Sequence, residues 1–144
     1  MITTQRMVGD ARPGTIRTPA VRFARVAGVV YCAAGIIGFG LTGFTGMMNT
    51  TGELLFGFEV NGLQNLLHVV VGVALVAASG SSPEAARVLT MLTAAAFTVA
   101  GLLGLSIIGT DANVLALNRA ANTAHLLTAV VAAACAAASP RTAR

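Results

Sequence analysis

The chain of 144 residues has no tryptophan, no lysine and a single tyrosine, Tyr31, and only 10% of its residues are charged. Against 56% hydrophobic residues and a mean hydropathy of +0.80, the polar side chains are too few to cover a soluble globule of this length. A soluble domain is therefore excluded, and the composition is that of an integral membrane protein. All nine basic residues are arginine and the net charge is +4. They sit at segment ends rather than along an aromatic-bearing surface, so the charge reads as an orientation signal and nucleic acid is not a partner. No Ser-His-Asp set, phosphate loop or pair of carboxylates is present, so an enzyme is not expected. Cysteine is limited to Cys32 and Cys135. Both are expected toward the cytoplasmic ends of helices, as small apolar fillers in a reducing compartment.

What is present in quantity is long apolar sequence. Four runs reach the roughly 20 residues needed to cross a bilayer, near 24–46, 60–79, 86–108 and 115–138. Gly46, Gly52 and Gly57 break the first connection, Gly80-Ser-Ser-Pro83 the second and Gly109-Thr-Asp111 the third. The expected fold is all-α without sheet, an integral membrane four-helix bundle. The run from Ala24 to Met48 exceeds the length of a secretory h-region, so the first helix is expected to stay uncleaved. Arg6, Arg12, Arg17, Arg22 and Arg25 precede the first run, Arg87 lies between the second and third, and Arg141 and Arg144 follow the fourth. By the positive-inside rule this places both termini in the cytoplasm and the protein in the cell membrane as a multi-pass chain. Residues 1–23, broken by Pro13 and Pro19, read as a mobile Arg-rich cytoplasmic arm, 24–138 as the transmembrane domain and 139–144 as a short cytoplasmic tail. Membrane lipid is the expected partner. A homo-oligomer is compatible with this composition, and no soluble partner can be inferred.

One pattern repeats. N-x-x-x-N-x-x-H occurs as Asn61, Asn65 and His68 and again as Asn118, Asn122 and His125, 57 residues later (118−61). On a helix, positions i, i+4 and i+7 fall within about 60° of one another, so each triplet is expected to form one polar stripe. Such stripes avoid lipid. Upstream, Ala34-Gly-Ile-Ile-Gly-Phe39 matches Ala100-Gly-Leu-Leu-Gly-Leu105 at a spacing of 66 (100−34), the nine extra residues belonging to a longer first outer loop. The reading is a duplication: two tandem helical hairpins related by a pseudo-twofold axis along the membrane normal, with the stripes of helices 2 and 4 face to face. Small residues at Ala34, Gly38, Thr42 and Gly46, and at Ala96, Ala100 and Gly104, offer seams for close helix approach.

The stretch Glu59-Val-Asn-Gly-Leu-Gln-Asn-Leu-Leu-His-Val-Val-Val-Gly72, the second Asn-x-x-His at 122–125 and the four-crossing layout resemble the bacterial membrane family called domain of unknown function 4383. The resemblance covers about residues 22–139. It implies a compact four-helix membrane protein and carries no activity. In the family pattern the position before each inner Asn is usually ionisable, often His in the first copy and Asp in the second. Here Gln64 and Ala121 stand there, which removes two ligands or proton carriers.

Three functions compete for the six polar residues. In the first, Asn61, Asn65, His68, Asn118, Asn122 and His125 hydrogen-bond across helices and fix the register of the halves, a structural role worth about 0.6–2 kcal/mol per contact. In the second, His68 and His125 bind haem or a metal, with the asparagines behind them. No thiolate or carboxylate lies near the histidines, and no cofactor is assigned. In the third, the histidines relay protons in a small transporter or channel subunit. That route lacks an intramembrane acid to continue it. The structural reading is favoured. The apolar loop segment Leu54-Leu-Phe-Gly-Phe58 is expected either on the membrane surface or folded over the Asn/His face as a lid, and Arg119 is expected to snorkel toward headgroups.

Overall fold

The computed structural model describes residues 18–141. Most of the expected arm, 1–17, and the end of the tail, 142–144, lie outside the described residues. The element order is α1 (Pro19–Thr42), β1 (Glu53–Leu55), β2 (Phe58–Val60), α2 (Gly62–Ser81), α3 (Pro83–Ile107) and α4 (Arg119–Ala137). All four helices are long and apolar enough to span a membrane.

Caps set the helix boundaries and correct several expected ones. Pro19 starts α1 instead of breaking an arm. Thr18 is its N-cap, its hydroxyl accepting from the Val21 amide at 3.3 Å, and proline at the first helical position loses no hydrogen bond there. Starting five residues earlier than expected moves Cys32 to mid-helix, away from a membrane face. α2 and α3 are separated by Ser82 alone, whose hydroxyl accepts from the Ala85 amide at 3.0 Å ahead of Pro83. Arg87 therefore lies within α3, buried and 3.6 Å from Glu84, and not in a loop. Ser139 is also no free tail: its hydroxyl donates to the Cys135 carbonyl and accepts from the Ala20 amide at 2.9 Å, tying the start of α1 to the end of α4.

The expectation of no sheet was incorrect. β1 and β2 pair antiparallel, Leu55 opposite Phe58, around Phe56 and Gly57. Both turn residues have positive φ, 52° and 89°, as a two-residue turn whose twist matches paired strands requires. Leu-Leu-Phe-Gly-Phe is thus a hairpin signal in which glycine supplies one of the two left-handed positions.

α1 packs chiefly on α2 and α3 on α4; α1 also meets α3, whereas α2 and α4 make almost no backbone contact. The closest diagonal is therefore α1–α3, not the α2–α4 seam expected from the polar stripes. In hydrocarbon there is no hydrophobic drive between helices, and close backbone approach supplies the attraction. Gly28, Gly35 and Gly38 form the α1 seam. A Cβ on Gly72 would stand 2.5 Å from the Cys32 amide nitrogen and 2.7 Å from the Gly28 carbonyl oxygen. Of the expected α1 stripe only Gly38 and Thr42 take part. Gly46 lies beyond the helix, and on α3 Ala96 is exposed while Gly101 and Gly104 are buried. The outward faces carry Ile36, Leu103 and Val130, each more than half exposed, as lipid contact requires.

The seam yields a paired prediction. Gly72→Ala forces α1 and α2 apart and is expected to destabilise by about 1–3 kcal/mol. Gly40→Ala, with nothing within 4 Å of the added methyl, is expected to be neutral or to stabilise by up to ~1 kcal/mol through helix propensity. Thermal unfolding in one detergent compares them, and equal midpoints would contradict the seam.

Candidate functional site

Each N-x-x-x-N-x-x-H triplet divides into three separate roles. Asn61 and Asn118 are not on a helix face but cap α2 and α4, accepting from the amides of Gln64 and Ala121 at 2.9 Å each. Their remaining amide hydrogens hold loops. Asn61 donates to the carbonyls of Asn49 and Val114, both at 2.8 Å, and Asn118 to the carbonyl of Gly57 at 2.9 Å. Asn113 adds a third tie, from its amide to the carbonyls of Leu117 at 3.0 Å and Thr50 at 3.3 Å. With its amide nitrogen toward the two carbonyls, buried Gln64 donates to Glu59 at 2.9 Å and Leu115 at 3.0 Å. The longer loop, 43–61, and the shorter, 108–118, are thereby stitched to each other.

Asn65 and Asn122 face their own neighbouring helix instead of each other. Both are fully buried, the Asn65 amide against Gly38 of α1 and the Asn122 amide against Gly104 of α3, where any side chain would collide with them. Asn65 donates to the Thr42 hydroxyl at 3.0 Å. Asn122 has no hydrogen-bond partner on either amide atom. The expected hydrogen-bonded seam between α2 and α4 is therefore absent from these two residues: helix α1 or α3 intervenes.

Only the histidines meet. His68 and His125 lie with ring centroids 6.1 Å apart and planes at 82°. Tyr31 of α1 packs on His68 at 5.1 Å, Phe97 of α3 on His125 at 5.0 Å, and Tyr31 on Phe97 at 5.0 Å, edge to face. Four rings, one from each helix, thus close a cycle. Edge-to-face pairs at these separations contribute about 0.5–1.5 kcal/mol beyond the area they bury. Neither Nδ1 has a hydrogen-bond partner.

On one side of this cycle lies a cavity of about 260 Å³. His68, His125, Tyr31, Gln64 and Thr128 line it, and Leu55, Phe58 and Val60 of the β-hairpin close it from the loop end. Of the two placements considered for the apolar loop segment, part of it therefore lies over the histidines. Leu55 points in, while Leu54 and Phe56 are exposed, as strand alternation dictates. The Tyr31 hydroxyl meets the Thr128 hydroxyl at 3.1 Å along the cavity wall.

Among the described residues no group of three or more His, Cys, Asp or Glu side chains could hold a metal ion. A haem between the two imidazoles would also have to part their own 6.1 Å contact. Cys32 and Cys135 are both free. Sequence reasoning missed Tyr31, Phe97, Asn113 and Thr128. The first two carried a signal, since 97−31 gives the same spacing of 66 as the glycine match.

A family model described as Domain of unknown function (DUF4383) matches residues 22–138. No curated protein and no solved structure matches the chain.

The two caps are not equivalent, and their removal measures the difference. Asn61→Ala loses a cap and two part-buried loop ties and is expected to cost about 2–4 kcal/mol, while Asn118→Ala loses a cap and one exposed tie, about 1–2 kcal/mol. Equal shifts in thermal midpoint would refute this assignment.

Proposed function

The chain belongs to the family of domain of unknown function 4383, as its Asn/His segments suggested, and we propose that the repeated geometry of its two triplets serves assembly: it locks two duplicated helical hairpins into one membrane bundle. The observation that carries this reading is the closed cycle of Tyr31, His68, His125 and Phe97, one ring from each helix. Tyr31 and Phe97 are 66 residues apart and His68 and His125 are 57 apart, the two spacings of the sequence repeat. Gly35 and Gly101 likewise occupy matched places: a side chain on the first would meet Asn65 and Val69, and one on the second Asn122 and Leu126, which again differ by 57. A pseudo-twofold axis between α1 and α3, along the membrane normal, accounts for all of these pairs. The duplication thus places two aromatic rings and two imidazoles around its own axis.

Orientation follows from the charges. Arg22, Arg25, Arg87 and Arg141 gather at the end that carries the chain termini, and Arg87 and Arg141 line an opening of about 720 Å³ there, suited to the anionic headgroups of a cytoplasmic leaflet. Both termini are accordingly assigned to the cytoplasm and the stitched loops to the outside of the cell membrane. His68 then lies about 10 Å below the outer end of α2, seven residues from its cap. A proton-relay role would need a path from there to the opposite face, through a region where α2 and α4 present Val, Ala and Leu.

Three measurements test this reading. Replacing a ring by a ring, His125→Phe, is expected to leave thermal stability within ~1 kcal/mol, whereas His125→Ala opens the cycle and costs about 2–4 kcal/mol. Proton flux into liposomes carrying the wild type is expected to match that of the His68→Leu and His125→Leu variants. A flux that either change abolishes without unfolding the bundle would replace assembly by transport. Reporter fusions after Arg144 and within the loop of residues 46–59 check topology, and a periplasmic C-terminus would reverse the orientation.

A further inference from the structure

The cavity beside the histidines is not alone. It shares Val30, Tyr31 and Thr128 with a second opening of about 660 Å³, an apolar groove between α1 and α4 that runs past Val26 and Val131 toward Pro19 and Cys135. The two adjoin at the Tyr31–Thr128 hydrogen bond, whose residues line both. One end of this path is roofed and small, an apolar cavity whose polar points are His68, His125, Tyr31, Gln64 and Thr128, and the other is long, apolar and open to lipid.

Going beyond the assembly role but using its duplicated frame, we propose that this path is a binding site for a membrane-dissolved quinone or quinol. The ring head lies in the cavity among His68, His125, Tyr31 and Gln64, and the prenyl tail lies in the α1–α4 groove.

The broken symmetry of the frame is the first support. Across the pseudo-twofold axis Tyr31 becomes Phe97 and Thr128 becomes Val71, so neither hydroxyl is repeated, and Ala124 becomes Leu67. The hairpin that roofs the cavity belongs to the longer outer loop and has no counterpart in the shorter one. Polar groups, space and a lid thus coincide on one side only. Helix packing alone gives no reason for that difference.

Size and charge specify the head. An apolar cavity of about 150 Å³ holds a benzene ring, and 260 Å³ holds one with substituents. No arginine lines the cavity, so a carboxylate or phosphate head would enter without a counter-charge, at a large desolvation cost. An acyl chain end would leave the imidazoles unmatched. A neutral ring with oxygens on opposite edges offers acceptors or donors to the imidazole nitrogens and the Tyr31 hydroxyl, and a face to the neighbouring rings. Both Nδ1 atoms are enclosed, so each imidazole offers the cavity its Nε2 edge, for which no protein partner is present among the described residues, and His125 is only 6% exposed. The apolar groove then suits the tail.

The chain supplies its own probe. Tyr31 is the only tyrosine and there is no tryptophan, so the protein's ultraviolet emission reports on the cavity wall, and a bound quinone quenches it. Full-length protein in mild detergent, titrated with a benzoquinone bearing a decyl tail, is expected to show saturable quenching. Ala124→Leu, which narrows the cavity wall with the residue found at the pseudo-equivalent place, is expected to weaken binding at least about tenfold, or ~1.4 kcal/mol. Thr128→Val, which removes the hydroxyl, is expected to weaken it by about threefold or more. Ala124→Leu leaves the four-ring cycle and its ties intact, so its helicity and thermal midpoint should stay near wild type and its outcome is independent of the assembly role, whereas Thr128→Val also loses the bond to Tyr31 and its midpoint is expected to fall slightly. His125→Phe should keep the fold and lose the saturable component. Quenching that rises linearly and equally in all variants overturns the proposal. Displacement of the quinone by decanol at the same concentration as by a quinol of equal tail would also overturn it, because the groove would then be reading alkyl chains only.

Discussion

Backbone groups inside a bilayer have no water to turn to, so each crossing must be a helix, and helices in lipid adhere through close contact and a few polar ties. The rest of the structure depends on that constraint. It explains why glycine, not leucine, lines the α1–α2 interface, where Gly28 meets Gly72 and Gly35 meets the Asn65 backbone. It explains too why Asn65 and Asn122 can be buried at all: Gly38 and Gly104 leave a recess the size of an amide. A polar side chain packed flat against a glycine is kept from lipid without needing a partner on a distant helix.

At the loop end the same scarcity of water acts on helix termini. The first amides of α2 and α4 would be orphaned near the membrane surface, and asparagine satisfies one of them while its amide hydrogens remain available. Asn61 and Asn118 use those hydrogens to bind loop carbonyls, so one residue type both begins a helix and fixes the loop that precedes or roofs it. The roof of the cavity is accordingly a by-product of capping. Gly57, the turn of the β-hairpin, is held by the cap of α4, which places Leu55 and Phe58 above His68 and His125.

The four crossings were legible because apolar run length is a direct consequence of bilayer thickness, and the family was legible from one stretch around Asn61–His68. The role of the triplet was only partly legible. Equal spacing on a helical wheel treats Asn61, Asn65 and His68 as one face, but a helix that starts at Gly62 turns the first of them into a cap, a possibility that Asn before an apolar run does signal. Helix adjacency could not be read at all. Nothing in the pattern distinguishes an α2–α4 diagonal from an α1–α3 diagonal, since the sequence spacings relate α1 to α3 and α2 to α4 alike. The glycines face within each hairpin, Gly28, Gly35 and Gly38 receiving α2 and Gly101 and Gly104 receiving α4, while bulky Tyr31 and Phe97 meet across the α1–α3 diagonal. The hairpin was missed because a strand of three residues shows almost no period, and because Phe56 occupies a left-handed position usually given to Asn, Asp or Gly.

Aligned at the sequence spacings of 66 and 57, the two halves of the chain differ in one direction. The first half keeps glycine at 28 and 72 and gives Asn65 the Thr42 hydroxyl. At the matching places the second half has Ala94, Ala129 and Ile108, and its Asn122 amide has no partner, which carries a desolvation penalty of about 1–3 kcal/mol. α3 and α4 are therefore the less firmly closed pair. Between the halves, α1 and α4 are held in mid-membrane by the Tyr31–Thr128 bond and at the terminal end by Ala20–Ser139, with an apolar groove between those ties.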